Sequence, residues 1–295
     1  MTKESPAEKK KKKSGAFTTI LLVFVLIAGL SLVLYPTVSD KWNSMHSSQI
    51  VASYSNAVAS FTEQEYERIW NDAVEYNRKL YENKFGINTS EEQMADYNAQ
   101  LNIGGNGVMG YIEIPSIDVT LPIYHGTEEG VLQIASGHIE WSSLPVGGLN
   151  THCALSGHRG LPSAKLFTDL DEMKNGDTFR LNILNETLTY EVDQIRTVLP
   201  QEVDKLTIVP EQDYCTLVTC TPYGINTHRY LVRGHRIANQ VSDVHVTPDG
   251  VVLEPMLVAP LLMIPFLLLL FILVLFRKPR KKFDPKSITI ERTPL

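Results

Sequence analysis

Two long apolar runs bracket the chain. No charged residue occurs from Ala16 to Tyr35 or from Met256 to Phe276. Each run is about 20 residues, enough for a helix to cross ~30 Å of hydrocarbon, so transmembrane helices are predicted over 16–36 and 256–276. Pro260 and Pro265 would kink the second helix without preventing it from spanning. After the first run the period changes. Ile50, Tyr54, Val58, Phe61, Ile69, Ala73, Tyr76 and Leu80 recur at helical spacing with charged residues between them, which predicts amphipathic helix from 40 to about 84. Gly104, Gly105 and Gly107 then punctuate a loop.

From Val108 the texture becomes short runs broken by turn residues: Met109–Ile114, Val119–Ile123, Cys153–Ser156, Phe179–Ile183, Leu188–Val192, Thr216–Cys220 and Arg229–Val232. Many short strands with few helical patterns between them predict a closed or nearly closed β-barrel. The chain is therefore divided into a tail (1–15), a membrane helix (16–36), a helical region (37–106) and a barrel (107–240). A linker (241–255), a second membrane helix (256–276) and a second tail (277–295) follow.

Charge sets the topology. Lys9–Lys13 precede the first run, and Arg277, Lys278, Arg280, Lys281 and Lys282 follow the second. Basic flanks remain in the cytoplasm, so both termini are expected inside, with the barrel outside as part of a two-helix membrane protein. Residues 1–15 carry +4 and 277–295 carry +5, which leaves about −15 of the net −6 on the middle. An acidic middle excludes nucleic acid as the natural partner. No cleavage-type small-residue pattern follows near Pro36, so the first run is read as an uncleaved anchor.

Three cysteines, Cys153, Cys215 and Cys220, cannot close into a disulfide framework, and no cluster has zinc spacing; neither metal nor cofactor is expected. Parity along the strand sets Cys153 and Leu155 on one face and His152, Ala154, Ser156 and His158 on the other. Cys153 and Cys215 are assigned to packing, with a disulfide between them left open. Cys220 differs from both. It ends a strand-like run, a loop with Pro222, Gly224 and Asn226 follows, and the next run opens with Arg229. Two strands joined by that loop would set a thiol beside a permanent cation. Only a thiolate attacks carbonyls efficiently, and a guanidinium can hold the resulting oxyanion. His158, in the glycine-flanked Ser156–Gly160 turn, is the candidate general acid and base. His228 is a rival base on the opposite strand face, Arg233 competes for the oxyanion role, and His152 has the parity to support the site.

The stretch from Thr216 to Gly224, then Asn226–Arg229 and Val232–Gly234, resembles the active-site region of class C, pilus-assembling sortases. The resemblance extends through Gly107–Pro115, Leu121–Thr127 and Leu155–Asp171, covers residues 107–238, and includes the membrane hairpin. It implies an eight-stranded β-barrel in which Cys220 is the nucleophile, His158 the acid/base and Arg229 the oxyanion partner. It also implies cleavage of an LPXTG-like sorting signal after Thr through a thioester, then transfer to a pilin lysine. The result would be isopeptide-linked pili on a Gram-positive cell surface. The alternatives are a cell-wall-anchoring sortase using a lipid II amine, a surface cysteine protease, and an adhesin with an inert thiol. Such enzymes carry an Asp-Pro-aromatic lid before the barrel, yet the one Asp-Pro pair here is Asp284-Pro285. Glu91–Tyr97 is the candidate for a shortened cover.

Overall fold

The structure, a computed structural model, describes residues 14–83 and 90–239. The expected linker, second membrane helix and C-terminal tail lie outside the described residues, as do residues 1–13 of the N-terminal tail. Of the described residues, 14–33 fall in one unit and those from 34 to 239 in another. In the first unit, α1 (Ser14–Ala59) begins with an apolar stretch that is long enough to cross a membrane and has none of its length buried. Ile20, Leu21, Leu22 and Phe24 are exposed there. Among the described residues this is the one helix long and apolar enough to cross a membrane.

In the second unit the single helix expected over 40–84 is two. Pro36 lies within α1 without ending it, and the break comes at Ser60–Thr62, before α2 (Glu63–Asn83). Thr62 caps α2: its amide donates to the Glu65 carboxylate and its hydroxyl accepts from the Glu65 amide. That reciprocal arrangement satisfies two otherwise orphaned helix-end donors. The apolar spacing runs straight across the break, so periodicity alone did not reveal it.

The rest of this unit is a closed barrel in the order β1-β2-β3-β4-β7-β8-β6-β5. Its strands are β1 (Val108–Ile114), β2 (Val119–His125), β3 (Ser136–His138), β4 (Thr151–Ser156), β5 (Thr178–Ile183), β6 (Glu186–Val198), β7 (Asp213–Thr221) and β8 (His228–Ile237). Seven follow the runs expected from sequence; β3, three residues long, had no run to announce it. Most neighbours are antiparallel, but β2 pairs with β3, and β4 with β7, in parallel. Parallel neighbours need a crossover. A short helix, α4 (Glu129–Leu132), lies in the first crossover, and β5 and β6 lie in the second.

Inward side chains alternate with outward ones and fill the barrel. Ile112, Ile114, Ile123, Leu155, Phe167, Phe179, Leu181, Tyr190, Leu217 and Val232 are nearly or wholly inaccessible, each fully buried large apolar side chain contributing roughly 1.5–3 kcal/mol. The helices close against this core through buried polar contacts. From α1, the Tyr54 hydroxyl donates to the Met109 carbonyl at 2.9 Å and accepts from the Leu184 amide at 2.8 Å. From α2, Asn77 pairs its amide with both main-chain groups of Leu144, at 3.0 and 2.7 Å. A third helix, α3 (Glu91–Ala99), is capped by Ser90 and Gln93 and buries Tyr97. The Tyr97 hydroxyl meets the His138 ring at 3.0 Å and the Gly126 amide at 3.0 Å. The segment expected as a cover is thus tied to β3 and to the residue after β2.

Candidate active site

Strand alternation decides what Cys220 faces. Cys215 and Leu217 point into the core, whereas Val218 joins a second apolar cluster on the outer face. Two residues further along that face comes Cys220. Across the sheet its register partner on β8 is Arg229. On the other side Ser156 of β4 is level with Val218, and the ladder continues beyond the strand: the Gly157 amide donates to the Val218 carbonyl at 3.0 Å, and the Thr219 hydroxyl to the Gly157 carbonyl at 2.8 Å. Two residues past Ser156 is His158. Thiol and guanidinium are therefore level on adjacent strands, ~4.8 Å apart, and the imidazole follows two residues beyond β4 at the same barrel end.

The turn that carries His158 is held tightly. A Cβ on Gly157 would lie 2.6 Å from the fully buried Phe167 ring, and Gly160 adopts φ +77° against Tyr223, so both positions need glycine. Arg159 anchors the turn from the opposite side. Its Nη2 pairs with Asp171 at 2.5 Å and its Nη1 reaches Thr221, next to Cys220, at 3.5 Å. The His158 ring is partly exposed, and its Nε2 lies 3.5 Å from the Glu129 carboxylate of α4.

The alternatives weighed from sequence are placed elsewhere. Arg233 shares the face of Arg229 but holds Asp193 with two bonds of 2.9 Å and lies 4.1 Å over the Tyr214 ring. Arg229 instead donates Nη1 to the Asn226 and His228 carbonyls, at 3.3 and 3.2 Å, and pairs with no carboxylate among the described residues. His228 opposes Thr221 and bonds the Thr227 hydroxyl. His152 bonds Thr216 at 2.7 Å and the Thr207 carbonyl at 2.9 Å. Burial drives its pKa down to about 4, so it is a neutral brace. Thr216 precedes Cys220 by four strand residues, about 13 Å.

Cys153 and Cys215 are register partners on β4 and β7, both buried and both free thiols. Burial pushes the Cys215 thiol well above its usual range, which keeps it protonated as the donor toward Cys153. Cys220, by contrast, is partly exposed. Ala154, Val198, Leu206, Val218 and Leu231 form a second, buried apolar cluster, with Ile139 and Trp141 packed against it. Sequence reading missed Arg159, Asp171 and Glu129. Nothing in their spacing ties them to the thiol; only the barrel closure brings them there.

A sortase-domain family model matches residues 112–237. The chain is similar to the crystal structure of sortase C1 from Streptococcus agalactiae at 53% identity and a TM-score of 0.64, covering 65% of this chain and 100% of that one. A sortase C from Clostridium perfringens, with a C-terminal cell wall sorting motif, matches at 43% identity and a TM-score of 0.58, covering 65% of this chain and 99% of that one. Sortase A of Streptococcus agalactiae serotype III (strain NEM316) is 28% identical over 219 residues, 72% of this chain and 83% of that relative.

Proposed function

Because the chain belongs to the sortase family of cysteine transpeptidases, we propose that it joins pilin subunits at a Gram-positive cell surface, with Cys220, His158 and Arg229 as its catalytic groups. The thiolate of Cys220 attacks the threonine carbonyl of an LPXTG-like sorting signal. His158 hands a proton to the departing glycine amine, Arg229 holds the oxyanion, and a thioester remains. A lysine amine of the next pilin subunit then displaces the sulfur and forms an isopeptide bond. The observation that carries this reading is the pairing of Cys220 with Arg229 on adjacent strands, with His158 in the turn after β4 at the same barrel end. Similarity to class C enzymes supports the pilin acceptor, and the exposed apolar start of α1 supports a membrane anchor.

The test is incubation of the full-length protein with a sorting-signal peptide and a lysine-containing peptide, followed by mass spectrometry. The expected products are a Cys220 thioester and a lysine adduct, neither of which the Cys220→Ala variant forms. A free threonine carboxylate as the main product despite saturating amine would place the chain among hydrolases instead.

A further inference from the structure

We propose that Glu129 is the docking carboxylate for the acceptor amine, recruiting the lysine ammonium to the edge of the His158 ring. This rests on the transpeptidase reading above. Glu129 opens α4 in the crossover between β2 and β3, which delivers it to the barrel end where β3 starts, level with Ser156. One carboxylate oxygen accepts from the Gln133 side chain at 3.0 Å. The other faces His158 Nε2 at 3.5 Å, beyond ordinary hydrogen-bond length, so the pair is loose enough to admit a third group. The Glu129 side chain is 71% exposed, so solvent and substrate both reach it. The Gln133 bond first, and then the nearby His158 ring, hold its carboxyl below the usual range, keeping it anionic at neutral pH. Of the acids that follow His158, Asp171 pairs with Arg159 and Asp169 with Lys165.

The chemistry of the second half-reaction calls for such a group. A lysine amine with a pKa near ~10.4 arrives as a cation and must lose two protons to become an amide nitrogen. A carbon–nitrogen bond forms at the threonine carbonyl, the carbon–sulfur bond breaks, and its electron pair leaves on Cys220. One proton passes to solvent by way of Glu129. The other returns to His158, which gave up a proton to the glycine amine in the first half-reaction. Water carries no charge for Glu129 to hold, so the carboxylate favours the amine over hydrolysis.

The experiment compares the full-length protein with Glu129→Gln, a near-isosteric change at an exposed position. The donor is a sorting-signal peptide, and the acceptors are a lysine peptide and hydroxylamine, an amine uncharged at neutral pH. The expected result is a rise of about five- to tenfold in KM for the lysine peptide, as for the loss of one ion pair near a surface, and a larger hydrolysed fraction. Thioester formation and transfer to hydroxylamine should stay within about twofold. Added salt should raise the lysine KM of the parent more than that of the variant. Equal slowing of thioester formation and of both acceptors would assign Glu129 to holding His158 and overturn the proposal, as would an unchanged lysine KM. Absence of a Cys220 thioester in the unsubstituted protein would overturn the underlying reading, and this inference with it.

Discussion

Cys220 has a strand neighbour of different character on each side, a cation on β8 and an imidazole beyond β4, while the other two thiols face the core. Accessibility alone should therefore separate the three. Alkylation of the native protein with iodoacetamide should place a single adduct on Cys220, because Cys153 and Cys215 are 1% and 0% exposed; mass spectrometry of the digest reads it. Arg229 offers a planar fork that lysine cannot reproduce. Arg229→Lys should lower kcat/KM about 10²-fold, the scale of losing an oxyanion donor, and leave the melting temperature nearly unchanged since its bonds are to exposed or half-buried main-chain carbonyls of its own turn. Arg233→Lys, remote from the sulfur, should change stability more than turnover.

At the scale of elements, the turn after β4 and the seat of α1 decide geometry and stability separately. Gly157→Ala would push a methyl group into Phe167, which has no room to yield, and so should shift His158 away from the Cys220 level. A fall in kcat/KM of about tenfold or more, with binding of the sorting peptide retained, is expected from a displacement of that size. Tyr54→Phe would strip Met109 and Leu184 of a buried partner. It should destabilise the unit by about 1–3 kcal/mol, read as a lower melting temperature with activity per folded molecule preserved. Much of this architecture was legible beforehand. Seven strands were visible in alternating runs, and the Cys220–Arg229 hairpin was visible in a strand, a turn-rich loop and a second strand. β3 was not, because three residues hold no periodicity. The break at Ser60 was hidden because the apolar stripe crosses it, and the capping bonds of Thr62 involve side chains that period counting ignores. Glu129 was invisible for another reason: its relation to His158 exists only once β2, β3 and β4 are paired.

For the whole barrel, closure makes one buried group matter to global stability. His152 ties β4 to Thr216 on β7 and to the Thr207 carbonyl, and burial lowers its pKa to about 4. The unfolded chain takes up that proton as pH falls through ~6.5, whereas the fold resists until about 4. Stability from this group is therefore complete above the unfolded value and is lost between the two, by at most about 3 kcal/mol. His125, also pulled down by burial, acts in the same direction, and Asp213, pushed up by burial, opposes both. The difference between parent and His152→Gln isolates the one ring: thermal unfolding at pH 7 and pH 5 should show the parent losing more of its melting temperature than the variant. The parallel pairing of β4 with β7 has a wider meaning for how such a barrel can change. Side chains on a strand swap sides at every step, so one extra residue ahead of Leu217 would send the sulfur indoors and bring Thr219 out in its stead. Length can drift freely in the turns, whereas in those two strands it can change only by pairs, and the chemistry is inherited as a count.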